Sequence, residues 1–146
     1  MNVFEYSKTC ALRLKKLYAE YAKRVTDEGL RKFLTSMSEQ ENSHLQFLDE
    51  KIKELANRRD LMQSAETIAA SLDECPEPQE VGDFERIDFF SYVMELEEQT
   101  MNMYKSIYES CDKNGELFSI FHSLFEEEKR HLLLVNDRYE LESLMS

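Results

Sequence analysis

The chain has no tryptophan, and only three glycines and two prolines among its 146 residues. Glycine and proline supply the turns that many short strands need, so a sandwich or barrel finds no support. No uninterrupted apolar run exceeds the four residues Leu132, Leu133, Leu134 and Val135, far too short for a bilayer span. No N-terminal signal stretch is visible either, and a soluble cytoplasmic protein is the default expectation. Positive charge is also scarce, with 18 basic against 30 acidic side chains and a net charge of −12. That balance lacks the basic surface phosphate contacts require, excluding nucleic acid as a partner and disfavouring an anionic membrane. Cysteine occurs only at 10, 75 and 111. The odd count and wide spacing exclude a secreted disulfide framework and a four-thiolate metal site, leaving three reduced thiols, Cys10 and Cys111 near helix faces.

What is abundant is Leu, Glu, Lys and Met, the composition of a helical protein. The strong breakers fall at three places only, Gly29, Gly115 and the stretch from Pro76 and Pro78 to Gly82. They divide the chain into four expected helices at about 3–26, 28–58, 85–111 and 115–143. The connections around Gly29 and Gly115 are short, so the first helix pairs antiparallel with the second, and the third with the fourth. Residues 59–84 are long enough to run the length of a bundle, with room for a short helix at about 62–71. The expectation is an all-α, ferritin-like four-helix bundle: two antiparallel hairpins joined by one long crossover, in a single domain over residues 1–146.

The chain also repeats itself. A shift of 87 places Tyr21 on Tyr108, Leu30 on Leu117, Met37 on Leu124, Glu41 on Glu128 and His44 on His131. The second and fourth helices therefore each carry Glu-x-x-His, as ENSH at 41–44 and EKRH at 128–131. Glu is common here, so one match is weak evidence. Two matches in register, both on apolar faces, carry more: Phe33, Met37, Leu48 and Ile52 surround the first, and Leu117, Phe121, Leu124, Phe125, Leu132 and Val135 the second. A buried unpaired charge costs several kcal/mol, so something must neutralise or ligate these groups. Carboxylate and imidazole at i and i+3 share a helix face and can hold a divalent metal ion, and two such pairs can hold two. His122, without a Glu at 119, points nearer solvent.

Ferritin-like di-iron sites ask for one further Glu from each remaining helix. On the third helix Glu97 falls near the centre of the apolar face of Phe89, Phe90, Val93, Leu96, Thr100, Tyr104 and Ile107, while a one-residue change of helix phase would favour Glu98, joined by Glu95. The first helix buries Val3, Phe4, Ser7, Ala11, Leu14, Tyr18, Tyr21 and Val25 and offers no carboxylate there. Matching Tyr18 to Tyr104 puts Ala11 opposite Glu97; the shift of 87 puts Cys10 there instead.

The paired hairpins, the ENSH and EKRH motifs, the Glu97 to Tyr104 spacing, and the F-x-x-x-M and F-x-x-L patterns preceding Glu41 and Glu128 resemble the rubrerythrin branch of the ferritin-like superfamily over nearly the whole chain. The resemblance implies a non-haem di-iron centre that reduces hydrogen peroxide. Glu41, Glu97 and Glu128 would be its carboxylate ligands and His44 and His131 its nitrogen ligands, with Tyr18 and Tyr104 donating to the carboxylates. It also implies a homodimer, and two irons per chain if the site is intact, with manganese or zinc as alternatives. The oxidant would be peroxide or oxygen, and Met37, Phe121, Leu124 and Phe125 would limit water access. This chain departs from that pattern twice. It lacks the Cys-x-x-Cys pairs of a rubredoxin module, so electrons must come from a separate donor such as a rubredoxin-type protein, and it lacks the first-helix carboxylate. Two further readings therefore stand beside the peroxidase: an iron-binding or ferroxidase protein without peroxide turnover, and a structural protein whose Glu and His pairs are buried ion pairs in a degenerate site.

Overall fold

The computed structural model describes residues 1–145, and every regular element among them is helical. There are five helices: α1 (Val3–Ala22), α2 (Glu28–Leu55), α3 (Arg59–Ala70), α4 (Arg86–Glu109) and α5 (Glu116–Met145). Asn2 caps α1 by accepting from the Phe4 and Glu5 amides, and Asp27 caps α2 by accepting from Leu30. These caps explain two boundaries. α1 stops at Ala22 rather than near 26, because Asp27 must be extended to start α2, and α2 stops at Leu55 rather than 58, because a tight turn through Arg58 opens α3. The short crossover helix is real and begins a turn earlier than expected.

The direction of each long helix follows from which residues pack together. One apolar cluster holds Leu14 to Ala22 of α1, Leu30 to Met37 of α2, Phe89 to Val93 of α4 and Val135 of α5. A second holds Val3 and Phe4 of α1, Leu48 and Leu55 of α2, Tyr104 and Ile107 of α4 and Leu117 to Leu124 of α5. The end of α1 thus meets the start of α2, and the end of α4 meets the start of α5, so both hairpins are antiparallel. Residues 56–85 leave the second cluster and return to the first, a crossover running the length of the interior. On the way Ala65 of α3 is buried in the second cluster and Val81 in the first.

In every long helix the two clusters leave a gap. The gaps fall at Ser7 to Ala11 in α1, Glu41 and His44 in α2, Glu97 in α4 and Glu128 and His131 in α5. A polar layer is therefore sandwiched between two apolar ones. Outside it, the buried Glu142 carboxylate receives Arg86 at 3.0 Å and Arg138 at 3.3 Å, tying the end of α5 to the start of α4. Among the described residues no helix is long and apolar enough to cross a membrane.

Candidate metal centre

Burial settles which side chains occupy the polar layer. Glu41, Glu97 and Glu128 are fully buried, and His44 and His131 nearly so. Glu95 and Glu98 are exposed, so the phase of α4 selects Glu97 and turns both alternatives outward. One ligand atom from each of Glu41, His44, Glu128 and His131 lies within 4.8 Å of all the others. The arrangement is close to two-fold. The imidazoles lie nearly parallel with centroids 5.0 Å apart, and each glutamate faces both. His131 Nδ1 is 3.1 Å from Glu41 Oε1 and 3.4 Å from Glu128 Oε1. His44 Nδ1 is 3.3 Å from Glu128 Oε1 and 3.6 Å from Glu41 Oε2, poorly aimed at the first and too far from the second to hydrogen-bond either. Glu97 enters from α4 and accepts a hydrogen bond from Tyr18 Oη at 2.8 Å.

The group fits a cation better than it fits itself. Glu41 Oε2, Glu97 Oε2, both Glu128 oxygens and His44 Nδ1 are buried without a hydrogen-bond partner. Buried polar atoms are nearly always paired, and these converging lone pairs are ones a cation could take up. Carboxylate oxygens with imidazole nitrogens are a donor set for divalent first-row metals. Without a metal the layer must distribute protons instead. Burial alone would push the Glu41 carboxyl up, but His131 and His44 hold it at about 2. Burial opposes the His44 imidazolium, yet Glu128 and Glu41 outweigh it and raise His44 to about 10. Burial and the neighbouring Glu41 push Glu128 up to about 7. Burial and Glu128 carry Glu97 well above the usual carboxylate range.

The two halves differ at one point. Tyr18 and Tyr104 are both fully buried, and burial holds both phenols protonated. Tyr18 finds Glu97, seven residues before Tyr104, whereas Tyr104 Oη has no protein partner. The residue seven before Tyr18 is Ala11, fully buried and without a polar side chain. Cys10, the other candidate for that position, turns its sulfur towards Cys75 and Met103. His122 is half exposed, stacked on Phe118 and 3.8 Å from Glu126, outside the layer. Periodicity gave no signal for the meeting of Cys10 and Cys75, 65 residues apart and one of them outside any helix. All three cysteines are free.

The chain matches the family model for rubrerythrin over residues 13–139. Neither the curated proteins nor the solved structures give a match.

Proposed function

The chain belongs to the rubrerythrin family, and from that premise we propose that it holds two divalent metal ions, physiologically iron, and reduces hydrogen peroxide or oxygen in oxidative-stress defence. On this reading α1, α2, α4 and α5 are the four helices of a ferritin-like bundle in one domain spanning residues 1–146. Glu41, His44, Glu97, Glu128 and His131 are the ligands. The observation that carries the reading is the set of buried, unpartnered carboxylate oxygens converging between two imidazoles. When bound, a ferrous pair supplies the two electrons that convert hydrogen peroxide to water.

The chain's own residues do the rest. His44 and His131 would supply imidazole nitrogens, and Glu41 and Glu128 would balance the cationic charge. Tyr18 keeps its proton because burial raises its phenol, and so orients Glu97 by donating to Oε1. Met37, Phe121 and Leu124, all buried, line the flanking layers and keep bulk water out. A rubredoxin-type protein is the proposed electron donor. Leu134, Leu141 and Met145 are 44%, 46% and 65% exposed and share one stripe of α5, which supports a homodimer through that face. The proposed compartment is the cytoplasm.

Ala11 favours a second reading, an iron-binding or ferroxidase protein that oxidises ferrous iron once and does not turn over peroxide. Anaerobic ferrous loading followed by peroxide, with and without excess reductant, separates the two. Catalysis predicts peroxide loss far beyond the iron present. Loss that stops at the stoichiometry of bound iron supports the ferroxidase, and loss no faster than without iron contradicts both.

A further inference from the structure

A cavity of about 460 Å³ lies between α1, α4 and the crossover. Its walls include Tyr6, Cys10, Arg13, Cys75, Thr100 and Met103. The crossover is held over it by polar contacts. Tyr6 Oη donates to the Asp73 carbonyl, while Arg13 donates to the carbonyls of Cys75 and, at 2.8 Å, Pro76, and pairs with Glu77 at 2.5 Å. These contacts bring Cys75 Sγ to 2.7 Å from Cys10 Sγ, although α2 and α3 lie between them in the chain.

We propose that Cys10 and Cys75 are a peroxide-reactive dithiol that closes to a reversible disulfide joining the crossover to α1. The two sulfurs are differentiated by their surroundings. Cys75 is partly exposed; the Cys10 thiol hydrogen-bonds to it and the Arg13 guanidinium stands beside it, holding it down at about 7. Cys10 is buried in α1, and its place as donor to Cys75 together with burial raises it above the ordinary thiol range. Cys75 is therefore the attacking thiolate and Cys10 the resolving thiol. In the first step the Cys75 thiolate attacks one peroxide oxygen, the O–O bond breaks, and hydroxide leaves, giving the sulfenic acid. In the second, Cys10 sulfur attacks Cys75 sulfur, the S–O bond breaks, and the hydroxyl leaves with the Cys10 proton as water. One hydrogen peroxide is reduced to two waters and two thiols are oxidised to one disulfide. An external thiol returns the pair to the reduced state by exchange. This chemistry requires no metal and stands whether or not the polar layer holds one.

The internal control is Cys111, which burial raises above the ordinary value of 9.0. Allowing for the lower intrinsic nucleophilicity of a more acidic thiol, Cys75 should react about tenfold faster than Cys111 at neutral pH. The test uses the full chain freed of metal by chelator, titrated with hydrogen peroxide, alkylated, and mapped by mass spectrometry. The expected product is a peptide pair linked through Cys10 and Cys75, lost on adding dithiothreitol, with Cys111 still alkylated. In Cys10→Ser, Cys75 should accumulate as a dimedone-trappable sulfenic acid that the unaltered chain does not show. Over-oxidation of Cys75 beside a free Cys10 in the unaltered chain, or oxidation of Cys111 as fast as Cys75, would overturn the proposal.

Discussion

Tyr18 and Tyr104 occupy equivalent buried positions, yet removing their hydroxyls should have opposite effects. Tyr18→Phe deletes the donor to Glu97 Oε1 and leaves that buried oxygen without its hydrogen bond. That change should cost about 1–3 kcal/mol. Tyr104→Phe deletes a hydroxyl that bonds to no other residue, and burial of such a group is itself unfavourable by about 1–3 kcal/mol. The variant should be neutral or more stable by about 1 kcal/mol. If Ala11 occupies the place of a lost carboxylate, Ala11→Glu should give Tyr104 its acceptor. Tyr104→Phe should then become destabilising in that background, with a coupling of about 1.5–3 kcal/mol, the range of a hydrogen bond to a charged group. Ala11→Glu alone should lower the stability of the metal-free protein, because a fourth carboxyl joins three in the same dry layer. Urea unfolding of the unaltered chain and these four variants in chelator, followed by far-ultraviolet circular dichroism, measures all of these terms. Equal losses for Tyr18→Phe and Tyr104→Phe, or zero coupling with Ala11→Glu, would refute the reasoning.

Three further outcomes are expected. His131→Ala should remove one metal ion per chain on anaerobic ferrous loading, and unchanged content by elemental analysis would place His131 outside the ligand set. Without metal, Glu128 at about 7 and His44 at about 10 both lie above their ordinary 4.5 and 6.5, so their stabilisation is present at low pH and lost as pH rises. Glu41, held at about 2, works in the opposite sense and loses its stabilisation as pH falls from 4.5 through 2. Thermal unfolding in chelator should therefore give a Tm highest near pH 5 and falling towards pH 10, and a Tm that climbs over that interval contradicts the assignment. For the same reason metal uptake near neutral pH should release protons, chiefly from His44 and the carboxyls; a dye-monitored titration in weak buffer showing no release would contradict it.

Much of this was readable in advance, for identifiable reasons. The pairing of the four long helices followed from where the breakers fall: Pro76, Pro78 and Gly82 lie in the crossover, Gly115 in the turn before α5, and Gly29 in the first turn of α2 just after the link from α1. Glu41, His44, Glu128 and His131 were legible because they interrupt an apolar face at helical spacing, and the structure brings these four together. Glu97 was less certain because neighbouring acids lie one and two residues away, and only the exact phase of α4 buries it. Helix ends at 22 and 55 depended on caps and a turn, which act over one or two residues. The meeting of Cys10 and Cys75 left no trace in periodicity, because the path of an irregular crossover is set by Tyr6 and Arg13 reaching its carbonyls. The empty partner of Tyr104 needed both the repeat and the packed structure.

The central claim is that the buried glutamates and histidines hold metal. Its most direct test is metal content per chain by elemental analysis, first after chelator treatment and again after anaerobic ferrous loading and removal of free iron. The account predicts about two irons per chain, the number two Glu-x-x-His pairs can hold. No retained iron after loading would contradict it and leave the polar layer as a purely structural set of ion pairs.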